Sequence, residues 1–447
     1  MSSTLAVDGL VSGLDTTSLI NSLMSLEAVP QTLLKNKVSE TQALVTALQG
    51  LNTKVASLTD LAGKTAKPNA LDLNSATSSA SSVTATASTA AQPGQLDLTV
   101  ENLARAQKSV SDAMTAWPAD PPVLTIQSND GTLHEITATS TSLDDVVTAI
   151  NASDAGVTAT KVSIGNGDYR LQFTSNTIGA GGAFTVYQGS GTGTSLNLTE
   201  IQAAQDASIT IWAGTPAAQV ITSKTNTFSD LLPGVSITVS ATSKDPVSVT
   251  VKRDDAAISK NASDLVSALN GIFSEIATKS AVSTSTDSSG KTSVKGGVFT
   301  SESTVRDVNQ RLLSAATLPV DGHSPSEYGM SINKSGTIDF DADKFKAALA
   351  KNPVATKAAV QEIASRVAAA GKSISDKYDG SLSQVISGQQ SEVKGLGLQV
   401  DDWDRRLTAR RSTLEKTYAA LEVQLSNLNK QQSYLSSQLA GLSNSNG

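Results

Sequence analysis

Residues 414–442 of this chain carry a leucine seam in the sequence LEKTYAALEVQLSNLNKQQSYLSSQLAGL. Its apolar positions recur in steps of four and three residues, which is the spacing of a coiled coil. The seam positions are Leu414, Tyr418, Leu421, Leu425, Leu428, Gln432, Leu435, Leu439 and Leu442. Because a helix of this kind buries its apolar stripe against another helix, the segment predicts a helical partner.

The first part of the chain offers a matching helix. Asp15 precedes the run TTSLINSLMSLE and is a good N-cap, because its carboxylate accepts hydrogen bonds from the first backbone amides. Leu19, Leu23 and Leu26 mark one face until Pro30 interrupts the run. A second helical run follows, with apolar positions at Leu34, Leu44, Leu48, Leu51, Val55 and Leu58. We therefore expect the two ends of the chain to pack together as paired helices.

The middle of the chain predicts β-structure. Apolar and polar residues alternate there in short segments separated by turn residues, which favours strands with one solvated face. The first segment, SSVTATASTAAQPGQLDLTVENL, contains a Pro-Gly pair at Pro93 and predicts a β-hairpin around that turn. Later strand segments are VLTIQS, GVTATKVSI, YRLQFTS, AFTVYQ, ASITIW, VSITVSAT and VSVTVKR, with one short helix at SLDDVVTAINAS.

Helical patterns return after Ser259, at SDLVSALNGIFSEIATK, TVRDVNQRLLSAA and DADKFKAALAKNP. Residues 280–297 between them are polar and rich in Gly and Ser, which predicts a loop. A final helix is expected from Leu396 to about Leu442, with Arg411 and Gln432 as polar seam positions that fix register. The fold class is therefore α+β and multidomain, with a terminal α-helical coiled coil, a helical leg domain and inserted β-rich head domains.

Negative charge is concentrated in the middle of the chain. The 447 residues carry a formal charge of −7, and residues 75–258 hold 8 Lys and Arg against 16 Asp and Glu. Nucleic-acid binding needs clustered cations, so this distribution argues against it. No stretch reaches the roughly 18 uncharged apolar residues of a membrane span. The start lacks the basic and apolar regions of a secretory signal peptide, so we expect either an intracellular protein or export without a cleaved signal.

Phosphate-binding and calcium-binding motifs fail on their spacing. Three Gly-Lys-Ser/Thr triplets, at Gly63, Gly290 and Gly371, lack the second glycine that a phosphate-binding loop needs five residues earlier. The segment DFDADKF at Asp339 begins like a calcium loop but lacks the turn glycine and the final glutamate. A helix start with acidic residues in its first turn explains this segment better.

Thiol and imidazole chemistry has few candidates. The chain has no cysteine, and its two histidines, His134 and His323, are far apart in sequence without a local ligand partner. A metal site or a nucleophile–histidine pair would need such a partner. We therefore expect no enzyme activity, no metal and no cofactor.

Several segments resemble the bacterial flagellar filament-capping proteins, also called the hook-associated protein 2 family. VDGLVSGLDTTSLINSLMSLEAVP resembles the start of that family, and LDLTVENLARAQKSVSDA resembles the end of its N-terminal module. SLDDVVTAINASDAGVTATKV and YRLQFTSNTIGA resemble the IN motif that flagellins and hook-associated proteins share. Four further segments resemble the family's C-terminal module and occur in the same order. They are NTFSDLLPGVSITV, DLVSALNGIFSEI, YGMSINKSGTIDFDADKFKAAL and WDRRLTARRSTLEKTYAALEVQLSNLNKQQSYLSSQL. The resemblance covers nearly the whole chain in register.

The resemblance implies four domains, three of them built from two separate segments. They are a terminal coiled-coil domain (1–42 and 407–447), a helical leg domain (43–74 and 259–406), a first β-rich head domain (75–112 and 205–258), and a second β-rich head domain with the IN motif (113–204). The helices of the coiled-coil end would run from Asp15 to Ala28 and from Leu407 to Leu442.

It also implies a structural cap at the distal tip of the bacterial flagellum, secreted through the flagellar export channel. An oligomeric plate, commonly a pentamer, would retain exported flagellin and promote its folding and polymerisation. The implied partners are further copies of the chain, flagellin, hook-associated junction proteins and a flagellar export chaperone, with no nucleic acid and no membrane. The resemblance carries over no catalytic or cofactor-binding residue. The residues expected to contact the oligomer or filament are Leu19, Leu23, Leu26, Leu414, Leu421, Leu425, Leu428, Leu435 and Leu439.

Other functions stay open at this point. A secreted adhesin could bind host glycans or mucin through the acidic middle region, with the helices as a stalk. A hook–filament junction protein or a flagellin would share the terminal helices but not the opening VDGLVSGLD. An extracellular hydrolase would have to depend on His134 or on a carboxylate of the middle region. The seams, finally, can pair within one chain or also between subunits.

Overall fold

The structure, a computed structural model, describes Gly13 and residues 15–443, with the backbone alone for 440–443. Most of the stretch VDGLVSGLD and the side chain of Leu442 lie outside the described residues. The helices are α1 (Thr16–Glu27), α2 (Val29–Thr65), α3 (Leu143–Ala152), α4 (Asp255–Ser280), α5 (Ser303–Thr317), α6 (Ala342–Lys351), α7 (Pro353–Ser375) and α8 (Ser381–Ser443).

Twenty strands accompany these helices in the part of the chain that the structure describes. The first ten are β1 (Asn74–Ser78), β2 (Val83–Ala87), β3 (Gly94–Asn102), β4 (Lys108–Ser111), β5 (Val123–Ser128), β6 (Leu133–Thr137), β7 (Val157–Gly165), β8 (Asp168–Ser175), β9 (Phe184–Gln188) and β10 (Thr194–Ser195). The others are β11 (Leu198–Gln202), β12 (Ala207–Ile211), β13 (Gln219–Ser223), β14 (Thr227–Ser229), β15 (Val235–Val239), β16 (Ser243–Arg253), β17 (Ser283–Thr286), β18 (Thr292–Lys295), β19 (Met330–Ile332) and β20 (Ile338–Phe340).

The chain divides into two units. The helical unit contains the residues up to Lys67 and those from Ser259 onward, and the β-rich unit is Pro68–Ile258. This architecture confirms the predicted α+β class, with helices from both ends of the chain packed together. The finer division into four domains stays a prediction.

Polar caps start the helices of the helical unit where the sequence predicts them. The Asp15 carboxylate accepts from the Ser18 amide at 2.7 Å, which confirms it as the N-cap of α1. Asp341 caps α6 by accepting from the amide of Lys344 at 2.9 Å. The segment that begins like a calcium loop is therefore a helix start.

Helix α2 forms the centre of the helical unit and packs against α7 and α8. Its buried apolar side chains recur with helical spacing and supply one wall of the core. They are Val45, Ala47, Leu48, Leu51, Val55, Leu58 and Ala62. Of the residues in the second predicted run, Leu34 and Leu44 are only half-buried. The fully buried apolar residues of α2 therefore start at Val45.

One close approach fixes the packing of α7 on α2. A Cβ placed on Gly371 of α7 would lie 2.2 Å from the Oγ1 atom of Thr59, far inside van der Waals contact. Gly371 is therefore required here for helix packing, and its Gly-Lys-Ser triplet has no phosphate-binding geometry.

A nearly buried ion triplet joins α2 to α4. The carboxylate of Glu275 lies 2.5 Å from Lys54 Nζ and 2.7 Å from Lys279 Nζ, and its side chain is 11% exposed. Burial alone raises the pKa of Glu275, but hydrogen bonds and charge from Lys279 and Lys54 outweigh it and hold this pKa below its ordinary value. The ion triplet therefore keeps Glu275 ionised inside the helical unit.

Two sequence expectations for the helical unit are wrong. Helix α8 begins at Ser381 and not at Leu396, because Leu382 and Ile386 are buried and hold the helix despite the glycines that follow them. Residues 280–297 are not simply a loop, because β17 and β18 pair there as an antiparallel hairpin from Ser283↔Lys295 to Thr286↔Thr292. Every residue of these two strands is exposed.

The β-rich unit contains two buried clusters. One joins the five-stranded sheet β1-β16-β3-β12-β13 with the three-stranded sheet β14-β15-β2, and draws on residues 83–104 and 207–251. The other joins the sheets β10-β9-β5-β6 and β11-β4-β8-β7 with α3, and draws on residues 117–196. The sequence of α3 predicts an apolar side with Val146, Val147 and Ile150. Val146 and Ile150 are fully buried in the second cluster, and Val147 is partly buried against it.

The predicted hairpin around Pro93 is wrong, although both of its strands exist. β2 pairs with β15, whereas β3 pairs with β16 and β12 in a different sheet. The two strands lie on opposite sides of one core, so the segment around Pro93 connects two sheets. Alternation identifies strands, but it does not identify their partners.

Candidate assembly interface

Helices α1 and α2 pack against α8, as the seams predict, and they run antiparallel to it. Polar contacts repeat along the pair, and each step forward on α1–α2 corresponds to a step back on α8. Lys37 Nζ lies 3.4 Å from Glu392, the Gln31 amide donates to Asp404, Arg410 Nε donates to Glu27 at 2.9 Å, and Arg411 Nη2 donates to the Asn21 side chain at 3.0 Å. Since polar groups at a helix–helix contact prefer one alignment, these pairs fix the register.

The α1 side chains that are buried at this contact are not the three leucines of the predicted face. Ile20 is buried, at 5% exposure, and Leu23 is half-buried. Leu19 and Leu26 stand roughly 100° and 120° around the helix from Ile20. Leu26 is 71% exposed. The three leucines share a side of the helix, but that side is only partly covered.

The direction of α1 continues into α2. The Ala28 amide donates to Met24 O at 2.9 Å, and the Thr32 amide donates to Ala28 O at 3.0 Å, so the helical ladder crosses the short break. Exposed apolar residues therefore continue along one side of both helices. This outer stripe, which faces away from α8, consists of Leu19, Leu26, Val29 and Leu33.

Beyond Tyr418 the seam of α8 loses its partner within the described chain. Leu414 and Tyr418 are half-buried, whereas exposure rises from 38% at Leu425 to 67% at Leu439. We call these exposed seam residues the tail stripe, which consists of Leu421, Leu425, Leu428, Leu435 and Leu439. Of the nine predicted contact residues, the structure thus places five on an exposed surface of α8, Leu414 half-buried on the same helix, and three on α1.

The tail stripe is flanked by neutral polar residues. Residues 401–416 of α8 contain nine charged side chains in 16, but residues 423–439 contain one, Lys430, in 17. Residues 16–34, which carry the outer stripe, contain only Glu27. A solvated helix face carries charge, whereas the centre of a protein interface is depleted of it. Both stripes have the composition of contact surfaces.

The described residues contain no group of three or more His, Cys, Asp or Glu side chains placed to hold a metal. His134 Nδ1 lies 3.3 Å from Asp154, and His323 Nδ1 lies 3.0 Å from Glu327, with the two histidines in different units. Within the same residues, no helix is both long and apolar enough to cross a membrane.

Of the outer stripe, the sequence predicts Leu19 and Leu26 as contact residues but not Val29 and Leu33. Leu19, Leu26 and Leu33 recur at intervals of seven, so the signal is present in the printed sequence. Because Pro30 divides the run, the sequence does not show that the apolar side of α1 continues along α2. The structure recovers it by showing that α1 and α2 share one direction.

Family models match three regions of the chain. The flagellar hook-associated protein 2 N-terminus matches residues 12–107, the flagellin hook IN motif matches residues 123–177, and the flagellar hook-associated protein 2 C-terminus matches residues 204–430.

Two curated relatives match along nearly their whole length. Flagellar hook-associated protein 2 of Escherichia coli (strain K12) is 28% identical over 468 residues, which cover 98% of each chain. The A-type flagellar hook-associated protein 2 of Pseudomonas aeruginosa is 26% identical over 487 residues, which cover 99% of this chain and 98% of the relative.

A solved structure shares the fold. The D1-D2-D3 domains of the flagellar cap protein FliD from Escherichia coli align with a TM-score of 0.60 at 22% identity, over 77% of this chain and 99% of that one. The family models together span most of the sequence, and the C-terminal model alone covers just over half of it. The chain therefore belongs to the flagellar hook-associated protein 2 family.

Proposed function

We propose that this chain is the structural cap of the bacterial flagellar filament. It works outside the cell at the distal tip, where it retains exported flagellin and promotes its folding and polymerisation. The observation that carries this proposal is the match to flagellar hook-associated protein 2 along 98% of both chains. The family is structural, so the proposal assigns no catalytic role to any residue.

The working form is an oligomeric plate, commonly of five copies. Its partners are flagellin, the hook-associated junction proteins and a flagellar export chaperone. The β-rich unit, with its net acidic charge, supplies the plate, and the terminal helices supply the contact with the filament. Support comes from the exposed tail stripe, because an apolar surface of this extent is an interaction site in a soluble protein.

Apolar contact suits a cap that must release its hold and bind again as each flagellin is added. The hydrophobic effect is non-directional, so leucines can exchange one apolar surface for another without a fixed set of hydrogen bonds. Each leucine of the tail stripe is already partly covered and contributes on the order of 1 kcal/mol when fully buried. Five such residues together hold the cap on the filament, although the contribution of each single leucine is small.

The test replaces the centre of the tail stripe in a strain whose own cap gene has been deleted. The variant carries Leu421→Ser, Leu428→Ser and Leu435→Ser. We expect the parent chain to restore filaments and swimming, and the variant to leave short or absent filaments with flagellin monomers in the medium.

A matched control carries Asn427→Ser, Gln431→Ser and Gln438→Ser, three exposed polar residues of the same helix segment that lie beside the stripe without belonging to it. It should restore filaments as the parent does. Normal filaments with the leucine variant would refute the role of the tail stripe. Failure of the parent chain itself, or immunogold label along the shaft instead of at the tip, would refute the proposed cap function.

A further inference from the structure

Three Asn-Gly dipeptides occur in the chain, at Asn166, Asn270 and Asn446. This dipeptide loses its side-chain amide spontaneously more readily than other asparagine pairs, because glycine has no Cβ to shield its backbone nitrogen. Asn446 lies outside the described residues. The structure places the other two asparagines in opposite environments, so it predicts different outcomes for the same chemistry.

Asn166 and Gly167 form the tip of the β7–β8 hairpin. Gly165 pairs with Asp168, so the tip is a two-residue loop. The φ angles of Asn166 and Gly167, 55° and 86°, are both left-handed, which is the signature of a type I′ turn. Both residues are exposed, and a Cβ placed on Gly167 would meet nothing within 4 Å. The space around the Gly167 backbone is therefore unobstructed.

No hydrogen bond restrains the two groups that would react at this tip. Among the described residues, neither the Asn166 side chain nor the Gly167 amide has a hydrogen-bond partner. The Asn166 side chain is therefore free to rotate toward the Gly167 nitrogen.

Asn270 has the same neighbour but lies in the middle of α4. Its Nδ2 atom donates to Ile338 O at 2.7 Å, and its Oδ1 atom accepts from Ile338 N at 2.8 Å. The Gly271 amide belongs to the hydrogen-bonded ladder of the helix. Both side-chain bonds and a turn of the helix must open before Asn270 can react.

We propose that Asn166 is a site of spontaneous deamidation in the folded protein, whereas the fold protects Asn270. The Gly167 nitrogen attacks Cγ of Asn166, so an N–Cγ bond forms and the Cγ–Nδ2 bond breaks. The Gly167 amide proton leaves with the side-chain nitrogen as ammonia, and a cyclic imide remains. Water then adds to one of the two ring carbonyls and cleaves its bond to nitrogen, which gives aspartate or isoaspartate. Water is the only co-reactant.

Either product changes the tip of the hairpin. Both add a carboxylate next to Asp168, and isoaspartate also lengthens the main chain by one methylene group, which a two-residue type I′ loop does not accommodate. The change ends at Lys161, whose Nζ atom lies 2.7 Å from Asp144 and 4.4 Å from the Tyr169 ring centroid. Isoaspartate should therefore loosen residues 162–168 alone. This reaction is independent of the proposed cap function, because it depends only on the fold around the β7–β8 turn.

Peptide mapping of the full chain tests the proposal. One sample is incubated folded at mildly alkaline pH, and a second is incubated unfolded in urea at the same pH. Chromatography and mass spectrometry of digested aliquots then separate the Asn, Asp and isoaspartate forms of each peptide. A sample digested before incubation corrects for conversion during the digestion itself.

In the folded sample, Asn166 should convert at least about tenfold faster than Asn270, because two hydrogen bonds and a helical turn hold Asn270 in place. In urea the two positions should convert at similar rates, since they share the same dipeptide. If Asn166 stayed intact in the folded sample while it converted in urea, the turn would block the attack and the proposal would be wrong. Equal rates at Asn166 and Asn270 in the folded sample would also overturn it.

The variant Asn166→Asp separates the effect of charge from the effect of isoaspartate. It carries the new carboxylate but keeps the normal main chain. Amide exchange over residues 162–168 should be faster in the incubated parent than in this variant, with no difference elsewhere in β7 and β8. Equal exchange in the two proteins would refute the loosening of the turn.

Discussion

The same substitution should have opposite effects at two helical glycines of this molecule. Gly371 of α7 is buried, and a Cβ there would meet Thr59 Oγ1 at 2.2 Å and Thr59 Cβ at 3.3 Å. Gly388 of α8 is exposed, and a Cβ there would meet nothing within 4 Å. Gly371→Ala therefore forces a stiff β-branched side chain to move, whereas Gly388→Ala only improves helix propensity.

The magnitudes decide the sign at each site. Replacing Gly by Ala inside a helix stabilises it by about 1 kcal/mol, and overpacking a close contact costs about 2 kcal/mol within a usual range of about 1–3. Gly388→Ala should therefore raise the free energy of unfolding by about 1 kcal/mol, and Gly371→Ala should lower it by about 1 kcal/mol. The difference of about 2 kcal/mol between the two variants is the quantity to measure.

Urea unfolding followed by the far-ultraviolet circular dichroism of the helices measures it. A double variant, Gly371→Ala with Thr59→Ala, removes the clashing oxygen and should recover most of the loss, whereas Thr59→Ser keeps that oxygen and should not. If Gly371→Ala matched Gly388→Ala in stability, or if Thr59→Ala gave no recovery, the close packing of α7 on α2 would be refuted.

Three further predictions concern the helical unit. The folded-state pKa of Glu275 lies below its ordinary value, so its contribution to stability is complete above pH 4.5 and is lost as the pH falls through the folded-state pKa. Glu275→Gln should therefore be less stable than the parent at pH 7, with the difference shrinking in acid, and a pH-independent difference would contradict the ion triplet. The Asn270 side chain donates to Ile338 O at 2.7 Å and accepts from Ile338 N at 2.8 Å. Asn270→Ala should therefore lower the free energy of unfolding in urea by about 2 kcal/mol. The exposed Asn427→Ala is the control, and equal effects of the two substitutions would contradict a stabilising role for these two hydrogen bonds. Replacing residues 283–295 by two glycines should change the melting temperature by less than about 2 °C, because both strands of that hairpin are fully exposed; a larger loss would reveal packing that the structure lacks.

The terminal helices were predictable because their signal is local. Steps of three and four residues specify an apolar stripe on a helix whatever lies elsewhere in the chain. The N-cap at Asp15 and the helix start at Asp341 are local in the same sense, since each depends on one side chain and the next three amides. These features needed no knowledge of the tertiary fold.

The errors arose where distant contacts decide the structure. The partner of β2 is β15, about 150 residues away, and nothing near Pro93 carries that information. The first turns of α8 contain Gly388, but burial of Leu382 and Ile386 overrides its weak helix propensity. In each case the structure depends on tertiary packing, which the local sequence does not specify.

The hairpin of β17 and β18 was missed for a different reason. Thr284, Thr286, Thr292 and Val294 share one face, so the alternation of a strand is present. The other face carries Ser283, Ser285, Ser293 and Lys295. The polar composition of the segment, by contrast, predicts a loop. The polar composition and the two-residue alternation therefore make opposite predictions for this segment, and the alternation agrees with the structure.

Of the candidate contact surface, the tail stripe and two residues of the outer stripe, Leu19 and Leu26, are predictable from sequence, but the continuation to Val29 and Leu33 is not. The leucines of α8 lie on one uninterrupted helix, so their period is visible. Those of α1 and α2 become one surface only when the backbone at Ala28 keeps a helical geometry, which it does at φ −81° and ψ −8°. That conformation is a property of the folded chain.

The helical unit takes its two halves from opposite ends of the sequence, and this has a consequence for biosynthesis. The β-rich unit is continuous, so it can complete its core soon after Ile258 has left the ribosome. Helix α2 is made much earlier than α7 and α8, and must wait for about 300 further residues before its own apolar side is covered. During synthesis the apolar side of α2 is therefore exposed for a long interval, and the nascent chain requires protection of this surface. A protein whose domains are each continuous in sequence does not have this requirement.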